Sequence, residues 1–426
     1  MPDRTTPPPV RDFQDFTLQP PRRTKLPNGI TLSFFENSCL DLIHLCVRIK
    51  AGLLYEPHKR VAAFTYELLK ESHPTMTADE LDDFFDYYGT SVTVTCNFGY
   101  VNINVQVPKK NFDKIVPEVA ELLIRPCFRP DNVERYRQKS ILDFEYYLEK
   151  TDYRASQLML NACFGKDFPY GKILERSDIE VVTIKQMEQY HQRSCCAKNI
   201  RLFVTGNLSD GELSLLSDAF GAIREGEGMP KLPNAEPNFT PRRIHEQRDN
   251  AQQTSLVLCR PSLCYLDPDA HRYRFLLTLF CNYFGSRLMQ NLRERNGCTY
   301  GVSGSTTYYE AGSFLSIESE VNNDKVEVAL KECFREMDRI CEETVGVEEL
   351  EVVRNYLLGS TLRAVDGTPA YMMAYVLWDD FGCDSTRFTE YTEAIRHVTA
   401  DDVLRLSRQL LRPESFTVIT VGATKL

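Results

Sequence analysis

The sequence lacks the features typical of general nucleic-acid-binding and membrane-spanning proteins. Its 426 residues carry 50 Lys and Arg against 60 Asp and Glu, which gives a net charge of −10. A general nucleic-acid binder needs an excess of positive charge to neutralise phosphates. The sequence also has no uninterrupted apolar run near the roughly 18 residues that mark a transmembrane helix. We therefore expect neither nucleic acid nor a membrane among its partners.

The 14 cysteines lack the spacing of a metal or redox motif. They are scattered from Cys39 to Cys383 and include no CxxC pair, whereas zinc ribbons and redox centres need tight, repeated spacing. We interpret them as small buried side chains in a reducing compartment. The first 16 residues, MPDRTTPPPVRDFQDF, contain acids and prolines but no apolar signal-type run. The sequence thus predicts a cytoplasmic protein.

The composition is that of a folded chain, with 42% hydrophobic and 26% charged residues. Its length suggests two or three domains. Residues 1–24 are rich in proline and predict an extended arm. The segment 225–243 combines prolines and glycines with little apolar patterning, which predicts a linker near the midpoint. We therefore expect one domain over 25–224 and a second over 244–426.

The local patterns predict sheets with helices packed on one face. Apolar and polar residues alternate from Val92 to Val107 on both sides of a turn at Asn97-Phe98-Gly99, as in a hairpin. Two stretches with helical periodicity follow, at 112–123 and at about 132–149. The predicted fold class is α+β, with mostly antiparallel sheets whose other face is free to line a chamber.

An internal repeat divides the chain in two. The pair Val182-Thr183, a helical stretch and a strand ending at Gly206 recur 216 residues later, from Val398-Thr399 to Gly422. A second match, at an offset of 208 residues, relates the helix and strand around Gly89 to those around Gly297. Matches in the same order support two tandem homologous domains.

Three blocks carry a family resemblance: LPNGITLSF near the start, VRIKAG at Val47–Gly52 and FGSRLMQNLRERNGCTYG at Phe284–Gly301. Through them the chain resembles the pitrilysin/insulinase family of inverzincin peptidases, which includes mitochondrial processing peptidase and shorter bacterial relatives. The resemblance covers nearly the whole chain from Lys25 and implies two pitrilysin-like domains.

The zinc site of that family is degenerate in this sequence. Active members carry H-x-x-E-H on a first-half helix, with two zinc-binding histidines and a glutamate that polarises the attacking water. A further glutamate, 77 residues after the second histidine, completes the site. The matching positions are, in order, Ala63, Tyr66, Glu67 and Phe144. A single carboxylate among them cannot hold catalytic zinc, so we expect no metal and no cofactor in this chain.

The other histidines offer no evident replacement site. The seven histidines form no HxxxH pair, and only His58 and His73, with nearby Glu67 or Glu71, make a cluster. We interpret this cluster as ordinary surface polarity rather than a substitute metal site.

The family's second-half pair, in contrast, is intact. An arginine that orients the substrate backbone and, seven residues later, a tyrosine that hydrogen-bonds the oxyanion match Arg293 and Tyr300. By residue type alone, Arg293 would be a surface ion pair with Glu294 and Tyr300 a half-buried strand residue. The resemblance favours the functional roles. The first-half equivalents are Phe85 and Val92, so the fold itself does not demand a polar pair.

The resemblance leads to one hypothesis and two alternatives. The chain is predicted to be the non-zinc-binding subunit of a heterodimeric zinc peptidase, inactive alone. Its partner would be a homologue with an intact H-x-x-E-H motif and zinc, and its substrates would be extended peptides. One alternative is a catalytically inert structural or peptide-binding subunit, like the core proteins of a respiratory complex. The other is an independent hydrolase with unusual metal ligands.

Overall fold

The computed structural model describes residues 16–232 and 239–424, and each half of the chain builds one β-sheet on to which helices pack. The first sheet contains β1 Arg22–Lys25, β2 Thr31–Glu36, β3 Leu42–Ile49, β4 Ser91–Cys96, β5 Val101–Pro108 and β6 Ile200–Gly206. The second contains β7 Arg243–Gln247, β8 Gln253–Pro261, β9 Thr299–Tyr309, β10 Gly312–Asn322 and β11 Thr417–Gly422.

The helices fall into two sets, one in each half. The first half contains α1 Val61–Glu67, α2 Ala78–Tyr87, α3 Phe112–Ile124, α4 Pro130–Leu148, α5 Thr151–Phe164, α6 Arg176–Glu180, α7 Ile184–Ser194 and α8 Asp210–Gly221. The second contains α9 Ala270–Cys281, α10 Val326–Glu342, α11 Val347–Arg363, α12 Thr368–Asp380, α13 Thr386–His397 and α14 Ala400–Leu410, with a π-helix at Met289–Arg295. Within the described ranges, no helix has both the length and the hydropathy needed to cross a bilayer.

The strand order shows the repeat directly. The first sheet runs β1-β2-β6-β3-β5-β4 and the second β7-β11-β8-β10-β9. The β2–β6 and β7–β11 pairs are parallel, and the other neighbours are antiparallel. Apart from β1, each first-sheet strand therefore has an equivalent in the second sheet. The predicted α+β fold of two similar halves is confirmed.

The residues that define the repeat have the same local roles in both halves. Thr183 accepts a hydrogen bond from the Gln186 amide at the start of α7, and Thr399 accepts one from the Asp402 amide at the start of α14. Both threonines satisfy helix N–H groups that would otherwise lack partners. The glycine that ends β11, Gly422, has no room for a Cβ because Thr254 lies against it, and Gly206 is in the same situation beside Ile43.

The structure describes only parts of the predicted arm and linker. Residues 22–24, assigned to the arm, pair with β2 as part of β1, because Arg22 to Lys25 run antiparallel to Thr31–Phe34. The remainder of the arm up to residue 15 and residues 233–238 of the linker lie outside the described residues. The strand β7 begins at Arg243, the last residue of the predicted linker.

Each half also lends a helix to the other half's sheet. The helix α12 of the second half packs on the first sheet, where Tyr375 meets Phe35 and Phe203. The equivalent helix of the first half, α5, packs on the second sheet, where Met159 shares a core with Ile419. The prediction that the other sheet face is free was therefore wrong over these strands. It failed because these faces are apolar and each half covers the other's.

Buried charges anchor α12 on the first sheet. Asp380 accepts hydrogen bonds from Arg48 Nε of β3, at 3.2 Å, and from Arg201 Nη2 of β6, at 2.6 Å. The neighbouring Asp379 also pairs with Arg201. Both side chains of the Arg48–Asp380 pair are only 8% exposed. Charges this deeply buried are stable only when paired, so the cluster fixes how the two halves meet.

Candidate functional site

The first-half candidate site lies on α1, a short helix inside the core. All of its residues from Val61 to Tyr66 are buried. The residue before the helix, Arg60, has a left-handed backbone with φ of 74°, and its side chain forms no capping hydrogen bond with the first turn. Instead, Glu56 accepts a hydrogen bond from the Ala62 amide at 3.0 Å. Burial raises the pKa of Glu56 to about 7, against the lowering effect of backbone donors.

Tyr66, at the position of the family's general base, is bound in a hydrogen-bond chain within the core. It is fully buried, and its hydroxyl lies 2.7 Å from Ser194 Oγ on α7. Because Ser194 Oγ donates to the Tyr190 carbonyl at 2.6 Å, the Tyr66 hydroxyl is the donor to Ser194. Burial raises the pKa of this phenol well above its ordinary value. Tyr66 therefore holds α1 against α7 and cannot act as a base near neutral pH.

The other two potential ligand positions are also occupied by structural contacts. The Glu67 carboxylate accepts a hydrogen bond from the Tyr136 hydroxyl of α4 at 2.6 Å. The Tyr136 ring in turn packs edge-on against Phe64. Phe144, farther along α4, is buried in the core of the first half. A phenylalanine ring offers no lone pair to a metal, so α4 contributes packing at this position.

These residues do not fit a zinc ion. Ala63 has no donor atom and is buried, Tyr66 and Glu67 are committed to hydrogen bonds, and Phe144 is apolar. Catalytic zinc needs three protein ligands around an open position. Across residues 16–232 and 239–424, no group of three or more His, Cys, Asp or Glu side chains is placed to hold a metal ion.

His73 was interpreted from the sequence as surface polarity, and this was wrong. The side chain is buried, with Nε2 2.9 Å from Glu118 Oε2, and Nδ1 accepts from the Met76 amide at 3.1 Å. The histidine thus organises the chain before α2. His58 is exposed and shares no hydrogen bond with it.

Arg293, in the second half, lies on the π-helix Met289–Arg295. Its side chain is 38% exposed, and the closest carboxylate, Glu294, is 3.6 Å away. The guanidinium carbon lies 4.7 Å from the centroid of the Phe284 ring, which is itself 59% exposed. Exposed pairs at this separation are worth little. Arg293 therefore keeps its hydrogen-bonding capacity available to a ligand.

Tyr300 lies in an irregular part of the edge strand β9. Thr299 and Val302 pair with Val321 and Ser319 of β10, so Tyr300 and Gly301 together face a single residue. This is a β-bulge, which turns a side chain away from its regular direction. The Tyr300 side chain is 86% exposed, and no hydrogen bond to its hydroxyl is found among the described residues.

A buried polar network supports the turn between these two residues, and the sequence did not predict it. Asn291 is buried and donates to Glu336 Oε1 at 2.8 Å, and Asn296 donates to Asn291 Oδ1 at 2.7 Å. The turn then closes at Gly297, whose φ of 57° suits glycine. The signal available in the sequence was the Asn296-Gly297 dipeptide, typical of turns. No local sequence pattern indicates that Asn291 pairs with Glu336, which lies 45 residues farther along the chain.

The first-half equivalents confirm that the fold does not require a polar pair here. Phe85 is buried on α2, a regular α-helix, and Val92 on β4 is half-buried against the core. No bulge interrupts the β4–β5 pairing. Within the described chain, no hydrogen bond, ion pair or ring contact joins Arg293 or Tyr300 to the four degenerate positions.

Comparison with known sequences agrees with this geometry. Residues 182–357 match the family model described as peptidase M16 inactive domain. A protein of Rickettsia felis named uncharacterized zinc protease is 24% identical over 94% of this chain and 96% of its own length. A Bacillus subtilis protein named probable inactive metalloprotease YmfF is 20% identical over 90% of this chain and 94% of its own length.

Solved structures show the same fold. A crystal structure of a peptidase M16 inactive domain from Pseudomonas fluorescens superposes with a TM-score of 0.88 at 19% identity, covering 95% of this chain and 98% of that one. The resemblance predicted from the sequence blocks is thus confirmed across both halves. Together with the absence of zinc-ligand side chains at Ala63 and Phe144, these matches show that the chain is similar to the inactive domain of peptidase M16 and to proteins named zinc protease and inactive metalloprotease.

Proposed function

We propose that this chain is the non-catalytic subunit of a two-chain zinc peptidase. A homologous partner would supply the intact H-x-x-E-H motif and its zinc. This chain would supply Arg293 and Tyr300, which would contact the substrate at that partner's site. By itself the chain would be inactive, and the pair would act as a metalloendopeptidase on extended peptides.

The observation that carries the proposal is the difference between the two halves. The π-helix under Arg293 and the bulge at Tyr300 both occur in the second half, and neither occurs at the equivalent first-half positions. Such irregularities persist mainly where function needs them. They present the weakly paired Arg293 and the exposed Tyr300 to solvent, whereas the positions that match the family's zinc site are filled by core packing. One half of the site has been lost and the other is kept.

The position of Tyr300 suits an extended peptide. Among the residues that the structure describes, β9 pairs with β10 alone, so its outer edge has no described partner. An extended peptide can add to such an edge through backbone hydrogen bonds. A carbonyl of that peptide would then lie near the Tyr300 hydroxyl, which can donate to the oxygen as negative charge develops on it. Arg293, on the preceding π-helix, would hold the peptide backbone in position.

The test is peptide cleavage by the chain together with a homologue that carries H-x-x-E-H. Tyr300→Phe should lower kcat about a hundredfold, the typical loss of one oxyanion donor, with a smaller change in KM. Tyr87→Phe is the matched control, because Tyr87 is a similarly exposed tyrosine in the first half. Cleavage that is equal in the parent pair and the Tyr300→Phe pair would overturn the proposal.

That negative result would favour the second candidate, an inert structural or peptide-binding subunit. The names of its relatives, inactive domain and probable inactive metalloprotease, agree with this candidate. Metal analysis of the isolated chain separates both candidates from an independent hydrolase. We expect no bound zinc, and stoichiometric zinc would contradict both.

We also propose that the chain acts in the cytoplasm. All 14 cysteines are free thiols, most of them buried, which suits a reducing compartment. Cell fractionation with antibody detection tests the location, and recovery in an oxidising compartment would contradict it.

A further inference from the structure

A cavity lies in the C-terminal half, and neither Arg293 nor Tyr300 belongs to its wall. It has a volume of about 410 Å³ and is enclosed by α9, β9 and the helices α11 to α13. The strand contributes Gly304, Ser305, Thr306 and Tyr308.

The charged groups of this cavity have one sign. Arg274 and Arg387 line it, and no aspartate or glutamate does, although the whole chain carries a net charge of −10. Arg274 is exposed at the edge of the cavity, with its guanidinium carbon 4.5 Å from the Tyr391 ring centroid. No described residue forms an ion pair with it. A cation stacked on an aromatic face keeps its N–H groups free for an anion.

Two buried nitrogens of the cavity wall also lack hydrogen-bond partners within the described part of the chain. Arg387 donates to Glu390 and to the Tyr265 carbonyl through its terminal nitrogens, but its Nε has no acceptor. His271 Nε2 is buried without a hydrogen bond. Burial, followed by the neighbouring arginines, lowers the pKa of His271 to about 4, so the ring is neutral at pH 7. Buried polar atoms without partners are rare and call for an explanation.

The remaining wall is apolar and aromatic. It includes Leu277, Leu377, Trp378 and Phe388. Apolar surface together with a few converging polar groups is the usual composition of a small-molecule site. The two arginines favour a ligand with a negatively charged group at one end. The apolar wall favours a ligand whose remaining part is apolar.

From this lining we propose that the cavity binds a small amphipathic carboxylate, with its head on Arg274 and its apolar body against Trp378 and Phe388. This site is independent of the proposed peptidase role, since it shares no residue with it. The Arg387 Nε and His271 Nε2 nitrogens would hydrogen-bond the ligand's oxygens.

Trp378 is the single tryptophan of the chain, so its fluorescence reports on this cavity. Titration of the full chain with 4-phenylbutyrate should change the emission in a saturable way. The neutral analogue 4-phenylbutyramide should bind at least about tenfold more weakly, a difference of about 1.4 kcal/mol. Equal responses to the acid and the amide would overturn the proposal, as would no response to the acid.

Two variants test the assigned positions. Arg274→Gln should weaken 4-phenylbutyrate binding about tenfold or more. Arg272→Gln, on the same helix but outside the cavity and paired with Asp269 at 3.5 Å, should bind like the parent. Ala374→Leu, which fills the cavity, should abolish binding without touching Arg274. If Arg274→Gln and Ala374→Leu both bind like the parent while retaining its circular dichroism spectrum, the assignment is wrong.

A last titration identifies the source of the carboxylate. An N-acetylated dipeptide ending in phenylalanine offers the same head and ring as a peptide C terminus. Tighter binding than 4-phenylbutyrate assigns the cavity to peptide C termini, and weaker binding assigns it to free organic acids. Both results require competition between the two probes, and absence of competition would contradict a single carboxylate site.

Discussion

The part-buried carboxyl of Glu56, which caps α1, makes the stability of this region depend on pH. Its folded pKa of about 7 lies above its ordinary value of 4.5, so the folded state keeps a proton that the unfolded chain releases. The stability that Glu56 contributes is therefore fully present below about pH 4.5 and is lost as the pH rises to about 7. Glu56→Gln removes this titration, so the variant should be more stable than the parent by up to about 3 kcal/mol at pH 8.

Urea unfolding at several pH values measures the effect. The difference between Glu56→Gln and the parent should vanish near pH 4.5 and grow towards pH 8. The glutamine oxygen can still accept from the Ala62 amide, so the cap of α1 is retained in the variant. A difference that does not change with pH would show that Glu56 does not titrate in this range.

Tyr66 provides a second test at the residue scale. Tyr66→Phe removes the donor to Ser194 but keeps the ring and its packing. Loss of one buried hydrogen bond should lower the free energy of unfolding by about 1–2 kcal/mol. Denaturant unfolding checks this, with the exposed Tyr87→Phe as the control. An unchanged midpoint for Tyr66→Phe would mean that the Ser194 contact does not stabilise the fold.

At single positions, the sequence predicted which side chains can bind a metal better than it predicted which side chains contact each other. The identities of Ala63 and Phe144 exclude metal ligation in any fold. The Tyr66 to Ser194 bond spans 128 residues, and no local pattern indicates such a pair. The same reason explains the error at His73, because its partner Glu118 lies on α3, 45 residues away.

At the scale of elements, buried ion pairs hold α12 on the first sheet. Asp380→Ala would leave Arg48 buried without its carboxylate partner, since Arg48 is only 8% exposed. Breaking a buried pair in this way should cost about 3–5 kcal/mol. The expected result is a large fall in the denaturant midpoint.

The matched control is an exposed pair. Glu180→Ala removes the carboxylate 2.7 Å from Arg176 on α6, where both side chains are about half exposed, and should change stability by less than about 1 kcal/mol. If Asp380→Ala were as mild as Glu180→Ala, the charged cluster would not anchor α12.

Regular elements could be predicted from the sequence because their signals are local. Thr77 is of a residue type that favours the N-cap position, and the structure shows a capping box from Thr77 to Glu80 at the start of α2. The hairpin of β4 and β5 follows the alternation of its residues. The π-helix and the bulge could not be predicted, because both depend on how the turn at Gly297 fits against β10 and α10.

For the whole molecule, the exchange of α5 and α12 makes the two halves interdependent. Each sheet has one face covered by the other half, so neither half completes its core alone. Calorimetry of the full chain should therefore show one unfolding transition, with Asp380→Ala shifting all of it. Two separate transitions, only one of them moved by Asp380→Ala, would contradict this coupling.

The sequence predicted two halves but not their exchange. The repeat offset identifies equivalent elements, yet it carries no information on which sheet an apolar helix covers. Both α5 and the sheet it covers contribute apolar residues to one shared core. The choice depends on shape and on paired charges such as Asp380 with Arg201, which only the assembled structure shows.

The helix exchange also changes what the connection between the halves has to do. In a chain whose domains merely sit side by side, the linker keeps them together. Here two separately made polypeptides, 1–232 and 233–426, would each expose a sheet that only the other can cover. After mixing, the two polypeptides should elute together from a size-exclusion column at the mass of the whole chain, 49.0 kDa. A gene divided at this point would therefore encode two polypeptides that fold together into one structure.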